Sequence, residues 1–148
     1  MKFKKLNGQL TYKNIQKNRI KWDDKSLSKF QRKVKEFFKQ FWYYDVCYEE
    51  MPLAGTRLRL DMFNASEHLA VEIHGSQHGK FNPFFHNNDR GKFLDQIHRD
   101  LKKLEWCEIN GFKLIEVFAE EESLLDKDPE KFKQLIEEKY DIELRKVL

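Results

Sequence analysis

Apolar residues between positions 27 and 41 recur at spacings of three and four, which is the period of one face of an α-helix. Ser26 or Ser28 is suited to the N-cap position, because a serine hydroxyl accepts a hydrogen bond from a free backbone N–H of the first turn. The pattern predicts a helix from about residue 26 with one side buried. The residues of this stripe are Leu27, Phe30, Val34, Phe37, Phe38 and Phe41.

Three segments with the alternation of β-strands follow, at residues 43–50, 57–63 and 69–74. A second helical pattern covers residues 89–109 and ends at Asn110-Gly111, a fourth strand is expected at residues 112–118, and Pro129 begins a last helix that reaches about residue 140. The predicted order is α-β-β-β-α-β-α. This order is typical of an α/β (α+β) fold with a mixed central sheet of about four strands flanked by helices.

Positive charge is concentrated near the N-terminus. The chain has 148 residues and a net charge of +3, but residues 1–40 carry 13 Lys and Arg against 3 Asp and Glu. We expect a basic arm at residues 1–25, with a short helix around residues 12–18, and one domain at residues 26–148. Such a segment is typical of contact with a polyanion, and a solvated helix face with a lysine-rich tail is the alternative. The cations expected to contact nucleic acid are Lys13, Lys17, Arg19, Lys29, Lys33 and Arg57.

Cysteine content and hydropathy bear on the compartment. Cys47 and Cys107 are the only cysteines, and neither has a neighbour at the spacing of a zinc knuckle. No stretch approaches the ~18 consecutive apolar residues of a membrane span, and the N-terminus lacks the apolar segment of a signal peptide. We therefore expect a cytoplasmic protein with reduced thiols and no membrane contact.

Two predicted strands carry acids that can meet. Asp61 lies in the second predicted strand and Glu72 in the third, and adjacent strands are ~4.8 Å apart. Two carboxylates at that distance repel each other unless a cation lies between them. Mg²⁺ is commonly bound by one or two carboxylates together with phosphate oxygens, so this pair suggests phosphodiester chemistry.

Asp100 interrupts the apolar stripe of the second predicted helix. At about 100° per residue its direction lies about 20° from the edge of that stripe. A carboxylate on the core side needs a cation, a metal or several hydrogen-bond donors. A structural pairing with Arg99 or His98 is the alternative. The stripe itself consists of Phe93, Ile97, Leu101 and Leu104.

Gln31 lies inside the buried arc of the first helix, whereas Glu36 points outward. Beyond Glu72 come His74, Gln77 and His78 in a Gly- and Asn-rich stretch, residues 75–88, whose length is typical of a functional loop. A histidine can accept a proton from an attacking water. The histidines can also be ordinary loop or cap residues, or zinc ligands. The set available for zinc is irregularly spaced: His68, His74, His78, His86 and His98.

The order of these pieces resembles the PD-(D/E)xK nuclease superfamily, and within it the very-short-patch-repair-like (EDxHD-type) endonucleases found in bacteriophages and among homing endonucleases. The resemblance covers about residues 26–118 and implies a restriction-endonuclease-like three-layer core. The matching positions are Ser28 to Gln31, Asp61, Glu72 with Gly75, Gln77 and His78, Arg99-Asp100 with Lys103, and the Asn110-Gly111 turn.

The resemblance also implies roles for individual residues. Asp61 would be the central metal ligand and Glu72 the second, with the backbone carbonyl of Ile73 completing the protein ligands of Mg²⁺ or Mn²⁺. His78 would be the catalytic histidine beside Gln77. Asp100 would orient a histidine or a water.

Two positions depart from the family pattern. His74 stands where the superfamily has lysine, so charge stabilisation becomes pH-dependent or passes to His78 and Lys103. Gln31 stands where the first-helix glutamate is expected, and an amide can hold a water without attracting the ion.

The sequence thus predicts a metal-dependent endonuclease that hydrolyses phosphodiester bonds of DNA, expected to be double-stranded, with a homodimer as a compatible assembly. A nuclease-fold protein that binds nucleic acid or a protein partner without cutting is the first alternative. An RNA-directed nuclease of the same fold is the second.

Overall fold

The computed structural model describes residues 1–24, 27–75 and 90–148. Two short strands, β1 (Lys2–Lys4) and β2 (Leu10–Tyr12), precede helix α1 (Lys29–Trp42). Strands β3 (Cys47–Pro52), β4 (Arg59–Asn64) and β5 (Leu69–His74) follow, and helix α2 (Arg90–Ile109) leads into β6 (Lys113–Phe118). Helices α3 (Glu122–Lys127) and α4 (Pro129–Tyr140) end the fold. Single 3₁₀ turns lie at Gln16–Asn18 and Ala119–Glu121.

The predicted sheet is confirmed. Strands β3, β4, β5 and β6 lie side by side in that order, the first three antiparallel and β6 parallel to β5. The parallel neighbour requires a crossover, and α2 provides it. The fold is therefore α+β, with a mixed four-stranded sheet flanked by helices as the sequence indicated, and with α3 in addition to the three predicted helices.

Element boundaries differ where local signals were weak. Helix α1 begins at Lys29 with Ser28 as its N-cap, since the Ser28 hydroxyl accepts the Gln31 N–H at 3.3 Å. The helix continues to Trp42, so β3 begins at Cys47 rather than at residue 43. The predicted loop at residues 75–88 lies, except for Gly75, outside the described residues.

Each face of the sheet has its own apolar core. One core packs the Phe-rich side of α1 against Met62, Val71 and Phe132. The other packs Phe3 and Trp106 around Phe63. The three layers are thus α1 with α4, the sheet, and α2 with the N-terminal strands.

The N-terminal segment was expected to be a basic arm with a short helix, but residues 1–24 pack on the body. Strands β1 and β2 form an antiparallel hairpin, and a single 3₁₀ turn at Gln16–Asn18 takes the place of the expected helix. Phe3 and Ile15 are 1% and 3% exposed, respectively, in the second core. Residues 18–21 then run along β3, where the Ile20 N–H donates to the Cys47 carbonyl at 3.0 Å. This contact covers the edge of the sheet.

The predicted core stripe of α2 is wrong. Leu101 and Leu104 are 51% and 39% exposed, whereas Trp106 and Cys107 are fully buried against the sheet. Asp100 and Lys103 are partly buried on the same side of the helix as Trp106 and Cys107. The helical period of residues 89–109 predicted a helix correctly, but the face that meets the core is rotated by about one third of a turn from the predicted stripe.

In the described part of the chain, no helix is long and apolar enough to cross a membrane.

Candidate functional site

The pairing of β4 with β5 ends where the two predicted acids lie. Met62 pairs with Val71, and the next positions along the ladder are Asp61 and Glu72. Their carboxylates replace the missing ladder bonds. The Ile73 N–H donates to Asp61 Oδ2 at 2.7 Å, and the Asp61 N–H donates to Glu72 Oε1 at 3.0 Å. The predicted proximity of Asp61 and Glu72 is therefore present in the structure, at a point where the sheet opens.

The alternation of β4 is broken at the same place. Met62 packs in the first core, whereas Leu60 and Phe63 both pack in the second core. A regular strand would put Leu60 and Met62 on one face, because side chains alternate along a strand. The break places Asp61 among residues of the α1 side, beside Met62 and Ile73.

Glu72 is buried with a cation from α2. Its side chain is 4% exposed, and Lys103 Nζ donates to Glu72 Oε2 at 2.8 Å. Burial raises the pKa of Glu72 to about 7; the negative charge of Asp61 adds to the rise, and Lys103 opposes it. A carboxylate with this pKa is half protonated near neutral pH, and a further cation beside it would favour its charged form. The structure thus brings Lys103 to the candidate site.

A small cavity of about 20 Å³ lies beside Asp61, with room for about one water. Gln31, Asp61 and Ile73 contribute to its wall, so the structure brings together three predicted site residues. The Gln31 side chain also has a local structural role. Its Oε1 accepts the hydroxyl of Ser28 at 3.2 Å, within the N-terminal cap of α1. Glu36 is exposed, as predicted.

Two residues that the sequence did not single out line the same cavity. Glu50 has a left-handed backbone (φ 49°), and its pKa is raised by burial and by the charge of Asp61. Lys35 is buried, with Nζ 2.7 Å from Glu49 Oε2. A signal was available for both: Glu49-Glu50 breaks strand alternation, and Lys35 follows Gln31 by four residues, which places the two on the same side of the helix.

His74 lies at the end of β5 and is 2% exposed. Burial favours the neutral imidazole, but the hydrogen bond with Glu116 at 3.3 Å and the charges of Asp100, Glu116 and Glu72 outweigh it, so the pKa of His74 is raised above its usual value. Its ring stacks on Phe118 with centroids 4.9 Å apart. The charge of Asp100 therefore acts on the imidazole of His74.

Part of the predicted site, namely Gln77 and His78, lies outside the described residues. Among residues 1–24, 27–75 and 90–148, no group of three Asp, Glu, His or Cys side chains could hold a metal ion. The expected ligand set of two carboxylates and the Ile73 carbonyl contains only two such side chains.

The predicted DNA-contacting cations differ in exposure and in their partners. Lys17, Arg19, Lys29 and Arg57 are exposed, whereas Lys13 is partly buried. Lys33 is engaged with acids of α3, 2.8 Å from Asp126 Oδ2. Asn18, between Lys17 and Arg19, donates to the Glu50 carbonyl at 3.0 Å, so this basic stretch adjoins the cavity.

Comparison with known proteins finds viral relatives that match part of the chain. The chain is 44% identical over 66 residues to "Uncharacterized protein 033L" of Invertebrate iridescent virus 3, covering 45% of this chain and 34% of that protein. It is 42% identical over 60 residues to "Uncharacterized protein 307L" of Invertebrate iridescent virus 6, covering 40% and 30%. It is 38% identical over 66 residues to "Uncharacterized protein 094L" of Frog virus 3, covering 45% and 43%.

The chain thus spans about a third of the length of the curated relatives it matches. No family model and no solved structure matches it. The names of the three relatives give no activity.

Proposed function

We propose that the chain is a Mg²⁺- or Mn²⁺-dependent endonuclease that hydrolyses phosphodiester bonds of double-stranded DNA. One observation carries the proposal: Asp61 and Glu72 meet where the sheet opens, and each carboxylate accepts a backbone N–H of the other strand. The same opening holds Lys103 from α2 and adjoins the Gln31 side of α1. Paired acids with an amine, placed where two central strands of a mixed sheet separate, suit phosphodiester hydrolysis.

The proposed ion ligands are Asp61, Glu72 and the carbonyl of Ile73. A divalent ion fits the electrostatics, because the charge of Asp61 contributes to the raised pKa of Glu72, and a cation would lower that pKa. When bound, the ion would supply an activated water and stabilise charge on the phosphate. Lys103 would then donate to Glu72 or to a substrate oxygen.

Proton transfer and positioning are assigned to the surrounding polar residues. His74, whose pKa is raised beside Glu116 and Asp100, can donate a hydrogen bond as imidazolium. His78 is the proposed general base, with Gln77 and Gln31 as groups that hold water. Gln77 and His78 lie three and four residues after the end of β5 in the sequence.

Substrate binding is assigned to the basic stretch beside β3. Lys17 and Arg19 are exposed there, and Asn18 between them contacts Glu50 at the cavity. Backbone phosphates would be the ligands, so binding should weaken with salt, with log K falling by ~0.9 per phosphate neutralised. An intracellular site of action is part of the proposal, and the free, buried thiols of Cys47 and Cys107 suit it.

The test is cleavage of supercoiled plasmid with Mg²⁺ or Mn²⁺. We expect relaxed or linear product from the parent chain and from the control variant Asp95→Ala, which removes an exposed carboxylate of α2. Asp61→Asn keeps an oxygen that can accept the Ile73 N–H but removes the charge, so it should abolish cleavage and retain DNA binding. Gln31→Glu should increase cleavage by adding negative charge beside the cavity. Equal cleavage by the parent and Asp61→Asn would contradict the site assignment.

A second candidate function, binding without cutting, is favoured by the Lys103–Glu72 ion pair. This contact already supplies Glu72 with a cation at 2.8 Å, and Gln31 adds no charge. Calorimetric titration with Mn²⁺ separates the two candidates. Retained DNA binding without metal binding at millimolar ion would favour the second candidate. Parallel assays with RNA test the remaining alternative, a nuclease specific for RNA.

A further inference from the structure

Helix α2 carries apolar residues on a side that does not face its own sheet. Leu94, Leu101 and Leu104 are 53%, 51% and 39% exposed, and Ile97 is partly buried. At about 100° per residue, these four side chains fall within an arc of about 80°. The sheet-facing side is occupied instead by Trp106 and Cys107. An amphipathic helix normally buries such a stripe, so this one is suited to a partner.

The order of residues along the stripe is complementary to itself in reverse. If a two-fold axis crosses α2 at the level of Arg99, Ile97 lies opposite Leu101 and Leu94 lies opposite Leu104. At the two ends of the stripe, Arg90 then lies opposite Glu108. Both Arg90 and Glu108 project within the same arc as the leucines.

We infer that the stripe of Leu94, Ile97, Leu101 and Leu104 is the interface of a homodimer in which α2 packs antiparallel against α2 of a second copy. Charge favours this orientation, because Arg90 of each copy faces Glu108 of the other. A parallel pair would place Arg90 against Arg90 and Glu108 against Glu108, which is unfavourable. The 20 residues of α2 provide about 30 Å of helix for the contact.

The dimer is independent of the proposed nuclease activity. Asp100 and Lys103 are partly buried toward the sheet, whereas the leucines of the stripe are exposed, so the contact is made by residues other than those of the candidate site. Dimerisation and cleavage can therefore be measured and refuted separately.

The first test is the molar mass of the full chain over a range of concentrations, by sedimentation equilibrium. We expect a reversible monomer–dimer equilibrium. Leu101→Lys should raise the dissociation constant by about 100-fold, because each dimer loses two buried leucines. The matched control is Leu135→Lys, since Leu135 is also an exposed helical leucine (40%) but lies on α4. A monomer at every concentration, or a dimer insensitive to Leu101→Lys, would overturn the inference.

Charge reversal tests the pairing at the ends of the helix. Arg90→Glu and Glu108→Arg should each weaken the dimer, because each places like charges in contact. The double variant restores opposite charges and should recover most of the affinity. Far-UV circular dichroism shows whether each variant keeps its helix content. Single reversals that leave the dissociation constant unchanged, or a double variant no better than the singles, would refute the Arg90–Glu108 pairing.

A disulfide test reports orientation directly. In the antiparallel dimer, positions 94 and 104 of different copies are adjacent, whereas two copies of position 94 are offset by about 15 Å along the axis, too far for a disulfide. Oxidising a mixture of Leu94→Cys and Leu104→Cys should therefore give the mixed disulfide and little of either symmetric one. The native thiols of Cys47 and Cys107 are buried and should not compete. Predominance of the symmetric disulfide of position 94 would overturn the antiparallel arrangement.

Discussion

Replacing Glu72 with Gln should change how the stability of the protein depends on pH. Burial and the charge of Asp61 raise the pKa of Glu72 from 4.5 to about 7, so the folded protein holds this proton more tightly than the unfolded chain. The resulting contribution to the free energy of unfolding is complete below pH 4.5 and is lost as the pH rises through about 7. The difference between the two pKa values corresponds to about 3 kcal/mol.

The assay is urea unfolding at a series of pH values between about 5 and about 8, with chelator present so that no divalent ion contributes. The parent should lose more stability over this range than Glu72→Gln does, by about 2 to 3 kcal/mol. The raised pKa of His74 acts with the same sign in both proteins. The part of it that comes from the charge of Glu72 is lost in Glu72→Gln, which leaves the direction of the expected difference unchanged. Glu138→Gln, at an exposed position of α4, is the control and should follow the parent. Parallel profiles for the parent and Glu72→Gln would refute the reasoning.

Two further predictions concern the N-terminal segment and its turn contacts. Phe3→Ala should cost about 3 to 5 kcal/mol in urea unfolding, because this 1%-exposed ring packs on Phe63 and Trp106. Tyr12→Ala, at a 74%-exposed ring, should cost little. A loss for Phe3→Ala as small as that for Tyr12→Ala would show that the hairpin is not part of the folded core. Gly55→Ala should destabilise the protein more than Gly8→Ala does. Both glycines have positive φ (83° and 87°), so alanine at either position costs about 1 to 2 kcal/mol of backbone strain. A Cβ at Gly55 would in addition lie 2.9 Å from Lys5 Cγ. Equal losses at the two glycines would mean that the Lys5 side chain moves away at no cost.

Lys103 holds a central position in the candidate site. Its ammonium group is the cation that makes a buried Glu72 tolerable, and it comes from α2 rather than from a strand of the sheet. An amine from a different element can reach the same carboxylate because the crossover helix packs directly over β5 and β6. His74 is left to interact with Glu116 and Phe118.

Local periodicity was enough to predict the order of α1, β3, β4, β5, α2, β6 and α4, because helix and strand periods are properties of neighbouring residues. It did not predict the β1–β2 hairpin or the short helix α3. It also predicted that Asp61 and Glu72 would be adjacent, since consecutive antiparallel strands usually pair. The Ser28 cap and the outward direction of Glu36 were likewise predictable, as both depend on a few residues of one helix.

Tertiary structure alone decided which of two apolar faces of α2 meets the sheet. Trp106 and Cys107 are buried and Leu101 is exposed, although all three are apolar, because the crossover from β5 to β6 fixes how the helix is rotated. The same holds for Phe3, whose burial depends on contacts about 60 and 100 residues away in the sequence. The ion pair between Lys103 and Glu72 and the left-handed backbone of Glu50 also come from long-range packing, which no local pattern records.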